Sequence, residues 1–150
     1  MENYMKLEIA AIGENEGFAR SAVAAFALSL NPSLNELSDI KTAVSEAVTN
    51  SVVHAYNHGI KDGKIVIECR IYSGELHIEI TDYGCGIEDV ERAKTPFFTT
   101  LSGDERSGMG FTIMQTFMDG FSLQSARGKG TRVAMMKRIG AGEERERVNA

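Results

Sequence analysis

The sequence predicts an α/β protein in which amphipathic helices pack on a sheet assembled from antiparallel hairpins. Three observations carry that prediction. A helical stretch runs from Ser33 to about His58, where Leu37, Ile40, Val44, Ala47 and Ser51 to Ala55 recur at three- and four-residue steps, so that one stripe can lie on a sheet. Two alternating runs, Lys64 to Tyr72 and Glu75 to Asp82, flank Ser73-Gly74 and read as adjacent antiparallel strands. A second pair, Phe121 to Ser125 and Thr131 to Arg138, is joined by Arg127-Gly128-Lys129-Gly130 and reads as a last hairpin.

Length and composition set the frame. A chain of 150 residues with 43% hydrophobic residues holds about one domain with a real core, expected over 1–139. The tail from Gly140 to Ala150 is charged and aperiodic, and is expected to be disordered. A net charge of -5 argues against direct nucleic-acid binding, which needs clustered Lys and Arg to displace counterions. No apolar run approaches the roughly 20 residues of a membrane span, and the start MENYMKLEIA lacks a signal-peptide core, so the expected location is the cytoplasm, with no membrane partner. Cys69 and Cys85 have neither the number nor the spacing of a disulfide framework or a zinc site.

In chain order, Tyr4 to Ile12 alternates Leu7, Ile9 and Ala11 against Lys6, Glu8 and Ala10, a short strand expected at a sheet edge. Gly13-Glu14-Asn15 gives a turn and an N-cap for a helix from about Glu16 to Leu30, with Phe18, Ala22 and Phe26 as the expected buried stripe. Arg20 falls on the opposite side and is expected to be exposed, either a solvated arginine or a partner contact. Ser33 with Glu36 three residues on has the spacing of a capping box, and Gly59 is the expected stop of the central helix. From Glu88 to Ser107 periodicity fades into a long irregular run of the kind that forms lids. Ser107-Gly108-Met109-Gly110-Phe111 then opens a helix of Thr112, Ile113, Met114, Gln115, Phe117 and Met118.

Candidate chemistry collects on three of these segments. Glu46 and Asn50 lie off the apolar stripe, four residues apart and so about 6 Å apart along one helix face. Such a pair is often plain solvated surface. It also suits metal-dependent phosphoryl transfer, the amide oxygen ligating Mg2+ and the carboxylate accepting a proton. Strand parity puts Asp82 on the apolar face with Leu76, Ile78 and Ile80, where a carboxylate must find donors. A cap or salt bridge would satisfy it, but Tyr83-Gly84-Cys85-Gly86-Ile87 follows, a turn whose glycines allow close backbone approach. A carboxylate at the base of such a rim, accepting from an exocyclic amine, favours adenine over guanine. The Gly108 to Phe111 helix start offers free N–H groups to an anion, with Arg106 and Lys94 as charge partners. Thr131 shares a face with Val133 and Met135, either to reach Asp82 or to fill space across the strands, and His54 is either structural or near a phosphate.

Three ordered boxes, Glu46 to Asn50, Asp82 to Ile87 and Gly108 to Phe111, followed by Gly130-Thr131, resemble the ATP-binding fold shared by gyrase, Hsp90, histidine kinases and MutL. Over nearly its whole length the chain is similar to the small serine-kinase anti-sigma factors of spore-forming bacteria. The similarity runs through Asn15 to Arg20, Val44 to Asn50 and Glu105 to Met114. The resemblance implies a two-layer α/β sandwich, a mixed, largely antiparallel sheet covered on one face by helices, acting as a homodimer. It implies that the ATP-bound protein silences a sporulation sigma factor and phosphorylates a serine of an anti-anti-sigma protein, with ATP, ADP and Mg2+ as ligands. It makes Glu46 the general base, Asn50 the Mg2+ ligand and Asp82 the adenine contact. Gly84, Gly86, Ile87, Thr99, Arg106, Ser107, Gly108, Met109, Gly110, Phe111 and Thr131 complete the nucleotide site, and Arg20 is assigned to the partner surface. The alternatives are a histidine-kinase-like ATPase domain, which needs a phosphoacceptor histidine that the residues before Glu46 do not contain, and a binding module without catalysis, which has no use for Glu46.

Overall fold

The computed structural model describes residues 2–55, 62–94 and 109–140. Among these residues five strands form one sheet: β1 (Asn3–Ala10), β2 (Lys64–Tyr72), β3 (Glu75–Asp82), β4 (Gly120–Ser125) and β5 (Thr131–Arg138). Their spatial order is β1-β2-β3-β5-β4, with β1 at an edge as expected, and every pairing among the described residues is antiparallel. The β2–β3 connection is the two-residue turn the sequence announces. Ser73 and Gly74 both take positive φ, 52° and 73°, the geometry that matches the twist of a tight hairpin.

Among the described residues four α-helices accompany the sheet: α1 (Glu14–Ala27), α2 (Leu34–Asn50), α3 (Val90–Ala93) and α4 (Gly110–Phe117). α1 packs on α2 and α2 on α4. Alternation sends Ile9, Ile65, Ile67, Cys69, Leu76, Ile78, Ile80, Val133 and Met135 into one core with Ile40, Val44 and Val48 of α2 and Met114 of α4. Each large aliphatic side chain fully withdrawn from water there contributes about 1.5–3 kcal/mol. The other sheet face carries polar pairs, among them Arg132 with Glu79 and Tyr4 with Glu68. Lys137 sits on the core side yet is satisfied: its Nζ donates to the Phe117 carbonyl at 2.6 Å and lies 3.3 Å from Asp39 Oδ2, tying β5 to α4 and α2. Among the described residues no helix is long and apolar enough to cross a membrane.

Several expectations need correction. α1 begins at Glu14 with Gly13 at its cap, and the Asn15 amide instead donates to the Ala10 carbonyl at 2.9 Å. Its buried residues are Ala19, Val23, Ala24 and Ala27; of the expected stripe, Phe26 is half-buried and packs on the core, Ala22 is half-buried and Phe18 is 55% exposed. Small side chains on its buried face let α1 pack close to its neighbours, α2 among them, and Phe18 falls outside that face. The Ser33–Glu36 capping box is present in both directions. The central helix does not run on as α-helix to His58: it changes at Ser51 to one π turn, Ser51–Ala55, and its expected end at residues 57–59 lies outside the described residues. The irregular run expected from Glu88 opens with one helical turn, α3, whose Asp89 side chain accepts from the Arg92 amide at 3.0 Å.

Candidate functional site

Asp82 is the last residue of β3 and, by the pleat, points into the core side, where it is 4% exposed. Its two oxygens are accounted for. Ser51 Oγ donates to Oδ2 at 2.9 Å, the Gly84 amide donates to Oδ1 at 3.1 Å, and a backbone hydrogen bond from Thr131 adds to these. Burial pushes the carboxyl above its usual range and the three donors pull it back in part. Ser51 is the polar member of the α2 stripe, four residues after Ala47, and it opens the π turn. Such turns recur at functional sites because they re-aim neighbouring side chains.

The turn after Asp82 is locked against the β4–β5 connection. A β-carbon on Gly86 (φ 74°) would lie 2.0 Å from the Ala126 carbonyl oxygen, and one on Gly130 (φ 81°) would lie 2.2 Å from the Asp82 carbonyl oxygen. Both positions therefore require glycine on two grounds. Gly84 is buried, Tyr83 is 66% exposed, and the Cys85 thiol donates to the His54 carbonyl at 3.3 Å. The Thr131 hydroxyl does not reach Asp82. It is bonded to Ser125 Oγ at 2.8 Å, because the adjacent strand end offers a nearer partner, and Thr131 meets Asp82 through its backbone.

At the other end of the site, Glu46 and Asn50 are half-buried on α2 and face the start of α4. A β-carbon on Gly110 would sit 3.0 Å from Asn50 Nδ2, 3.2 Å from Glu46 Oε2 and 3.3 Å from Asn50 Oδ1. The missing side chain at Gly110 is thus what lets the helix start close on the carboxylate–amide pair. Met109 caps α4 without a side-chain hydrogen bond, so the amides of the first turn present the positive end of the helix there. Asn50 and Ser51 are consecutive, one facing α4 and the other bonded to Asp82, which links the two ends through adjacent residues of the chain.

The oxygen donors fit a magnesium ion. The Asn50 amide oxygen is a hard neutral ligand beside a carboxylate, and an ion that keeps several waters and phosphate oxygens needs few ligands from the protein. Among the described residues no group of three or more His, Cys, Asp or Glu side chains could hold a metal unaided. Lys94, expected as a charge partner, pairs with Glu91 at 3.1 Å. Thr99, Arg106, Ser107 and Gly108 lie outside the described residues. Arg20, half-exposed on α1, bonds Glu16 at 3.1 Å and reaches Ser45 Oγ at 3.4 Å, next to Glu46. Two site residues escaped the sequence reading, Ser51 and Ser125. A serine on an apolar stripe was a signal for the first, and nothing local marked the second.

The model of the histidine kinase-like ATPase domain matches residues 10–137. The anti-sigma F factor of Clostridium botulinum (strain Eklund 17B / Type B) is 55% identical over 92% of this chain and 96% of its own. That of Caldanaerobacter subterraneus subsp. tengcongensis is 54% identical over 92% of this chain and 95% of its own. Among solved structures, the RsbU and RsbW domains of Rv1364c from Mycobacterium tuberculosis superpose with a TM-score of 0.65 at 16% identity, covering 91% of this chain and 32% of that one. The catalytic domain of the histidine kinase ThkA superposes at 0.56 and 16% identity, covering 91% of this chain and 96% of that one. These two likenesses concern the fold. The antiparallel sheet with its helical layer is that of histidine-kinase-type ATPase domains, and the chain belongs to the histidine kinase-like ATPase domain family and, within it, to the family of the anti-sigma F factors.

Proposed function

We propose that the chain is a Mg2+- and ATP-dependent protein serine kinase that holds a sigma factor while ATP is bound and phosphorylates a serine of an anti-anti-sigma protein, leaving ADP. The observation that carries this reading is the closure of the α4 start at Gly110 on the Glu46 carboxylate and the Asn50 amide. A pure nucleotide binder has no need of a carboxylate at that place. The name shared by the relatives, anti-sigma F factor, supports the sigma-factor half of the proposal.

In this mechanism the adenine lies at Asp82, whose ionised oxygens accept from the exocyclic amine. Guanine would set an oxygen against them. Ser51, Gly84 and Thr131 hold the carboxylate in place, so recognition costs no reorganisation. The phosphates run toward the α4 start, where first-turn amides and the helix dipole favour negative charge. Asn50 would hold a magnesium ion, which would supply neutralisation of phosphate charge. Glu46 takes the proton of the attacking serine hydroxyl as the new O–P bond forms to the terminal phosphorus. The bond from that phosphorus to the bridging oxygen breaks, and ADP carries the electron pair away. Arg20 serves the partner surface, one hydrogen bond from the residue preceding Glu46. The working unit is a homodimer, which sedimentation checks.

The test is incubation with γ-labelled ATP, Mg2+ and a serine-bearing anti-anti-sigma protein. Label on that serine is the expected result. ATP binding without label transfer would leave a binding module, and release of labelled phosphate to water alone would leave an ATPase.

A further inference from the structure

One hydroxyl outside the catalytic assignments holds the adenine end of the site together. Ser125 is the last residue of β4, opposite Thr131 in the β4–β5 register. Its Oγ lies 2.9 Å from the Gly130 carbonyl, 2.7 Å from the Ile87 amide nitrogen and 2.8 Å from Thr131 Oγ1. A hydroxyl has one proton to give and two lone pairs to offer. The Gly130 carbonyl can only accept, so it takes the proton. The Ile87 N–H and the Thr131 hydroxyl then both donate to Ser125, and its capacity is filled.

The three partners belong to the two segments that meet beside Asp82. Ile87 closes the glycine turn that begins at Asp82, Gly130 lies against the Asp82 carbonyl, and Thr131 sends a backbone hydrogen bond to the Asp82 carboxylate. The same two loops meet again where the Gly128 amide donates to the Cys85 carbonyl at 2.6 Å. That backbone bond and the two close glycine approaches fix how near the loops come. The Ser125 hydroxyl fixes their lateral register, because it alone of these contacts engages Ile87, Gly130 and Thr131 at once.

We propose that Ser125 is the positioning residue for purine recognition, aligning the 82–87 turn and the Gly130-Thr131 segment so that the Gly84 and Thr131 amides stay on the Asp82 carboxylate. It acts through Asp82 and touches no reacting atom. The inference rests on the nucleotide reading and adds to it the residue that sets selectivity.

The experiment compares wild type, Ser125→Ala and Ser125→Thr by two readouts. In nucleotide-free protein, amide hydrogen exchange at Ile87 is expected to speed up about tenfold or more in S125A, where the amide loses its acceptor, and to stay near wild type in S125T. In calorimetric titrations with ATP and with GTP, S125A is expected to bind ATP about five- to tenfold more weakly and to show a narrowed ATP-over-GTP ratio, both restored by the threonine hydroxyl. Restoration in S125T separates positioning from general loosening, which a threonine would not repair. Unchanged Ile87 exchange in S125A, or unchanged ATP affinity and selectivity, overturns the proposal. A wild type that binds ATP while S125A binds it equally well condemns this inference alone. A wild type that binds no ATP condemns the nucleotide reading and this inference with it.

Discussion

The two ends of the site are built on opposite principles. At Asp82 the carboxylate is buried and the donors Ser51, Gly84 and Thr131 are set around it. Glycines 86 and 130 lock the surrounding loops, with no room for a β-carbon. At Glu46 and Asn50 the side chains are half-buried on one helix face, and the neighbouring element is a helix start with no side-chain cap. On the proposed function this difference fits the roles: a recognition group gains from being held in one place before the ligand arrives, whereas a base and a metal ligand need access to groups that change during the reaction. Ser51 following directly on Asn50 couples the rigid end to the open one.

The comparison is broken first at the open end. Glu46→Ala should lower serine phosphorylation by about 10²–10⁴-fold while ATP affinity holds within a few-fold, as measured by label transfer and calorimetry in parallel. Proportional loss of both would make Glu46 a binding residue. At the rigid end, Gly130→Ala should cost roughly 2–5 kcal/mol in denaturant unfolding, since the new carbon meets backbone and the left-handed φ persists. Gly128→Ala is its control. With φ at 76° but nothing within 4 Å, it should cost only about 1 kcal/mol. Equal costs would show that strain, not the interlock, is what the glycines relieve.

A smaller effect sharpens the Asp82 assignment. Asp82→Asn keeps the volume and should weaken the preference for ATP over GTP about tenfold, read from the ratio of dissociation constants. The same variant tests the electrostatics. Burial raises the Asp82 carboxyl above its ordinary 3.8, so the folded state holds its proton more tightly than the unfolded chain. The group's stabilising contribution is then complete below 3.8 and is lost as pH climbs through the raised native value. Wild-type melting temperature should therefore fall relative to D82N as pH rises through that window, and a constant difference would refute the shift. The smallest change in stability belongs to Arg20→Ala. Its ion pair with Glu16 is partly solvent-exposed, so stability should move by no more than about 0.5 kcal/mol while affinity for a sigma factor drops. Unchanged affinity would return Arg20 to ordinary surface.

Alternation placed the buried faces of the strands, although β1 stops at Ala10, short of the expected Ile12, where the chain bends toward α1. The bounds of β2, β3 and β5 and the inward aim of Asp82 follow from period two alone. The Glu46–Asn50 pair was legible because a helix face is a matter of spacing. What local pattern cannot carry is the identity of a partner brought in from elsewhere. The buried face of α1 carries Ala19, Val23, Ala24 and Ala27 and leaves Phe18 exposed, while Phe26 of the expected stripe packs on the core, because the buried face is set by the elements that α1 meets. The Thr131 hydroxyl turned to Ser125 for the same reason, and Ser51 acquired its role only when β3 delivered Asp82 beside it. The π turn at Ser51–Ala55 has no signature in residue types that also suit an α-helix.

The central claim is that residues from α2, the turn after β3 and the start of α4 form one nucleotide site. Titrating Mg-ATP into uniformly 15N-labelled protein tests it directly. The amide resonances of Asn50, Gly84 and Gly110 are predicted to move together along one saturation curve with a single dissociation constant. Shifts confined to one of the three, or three curves with different midpoints, would contradict it.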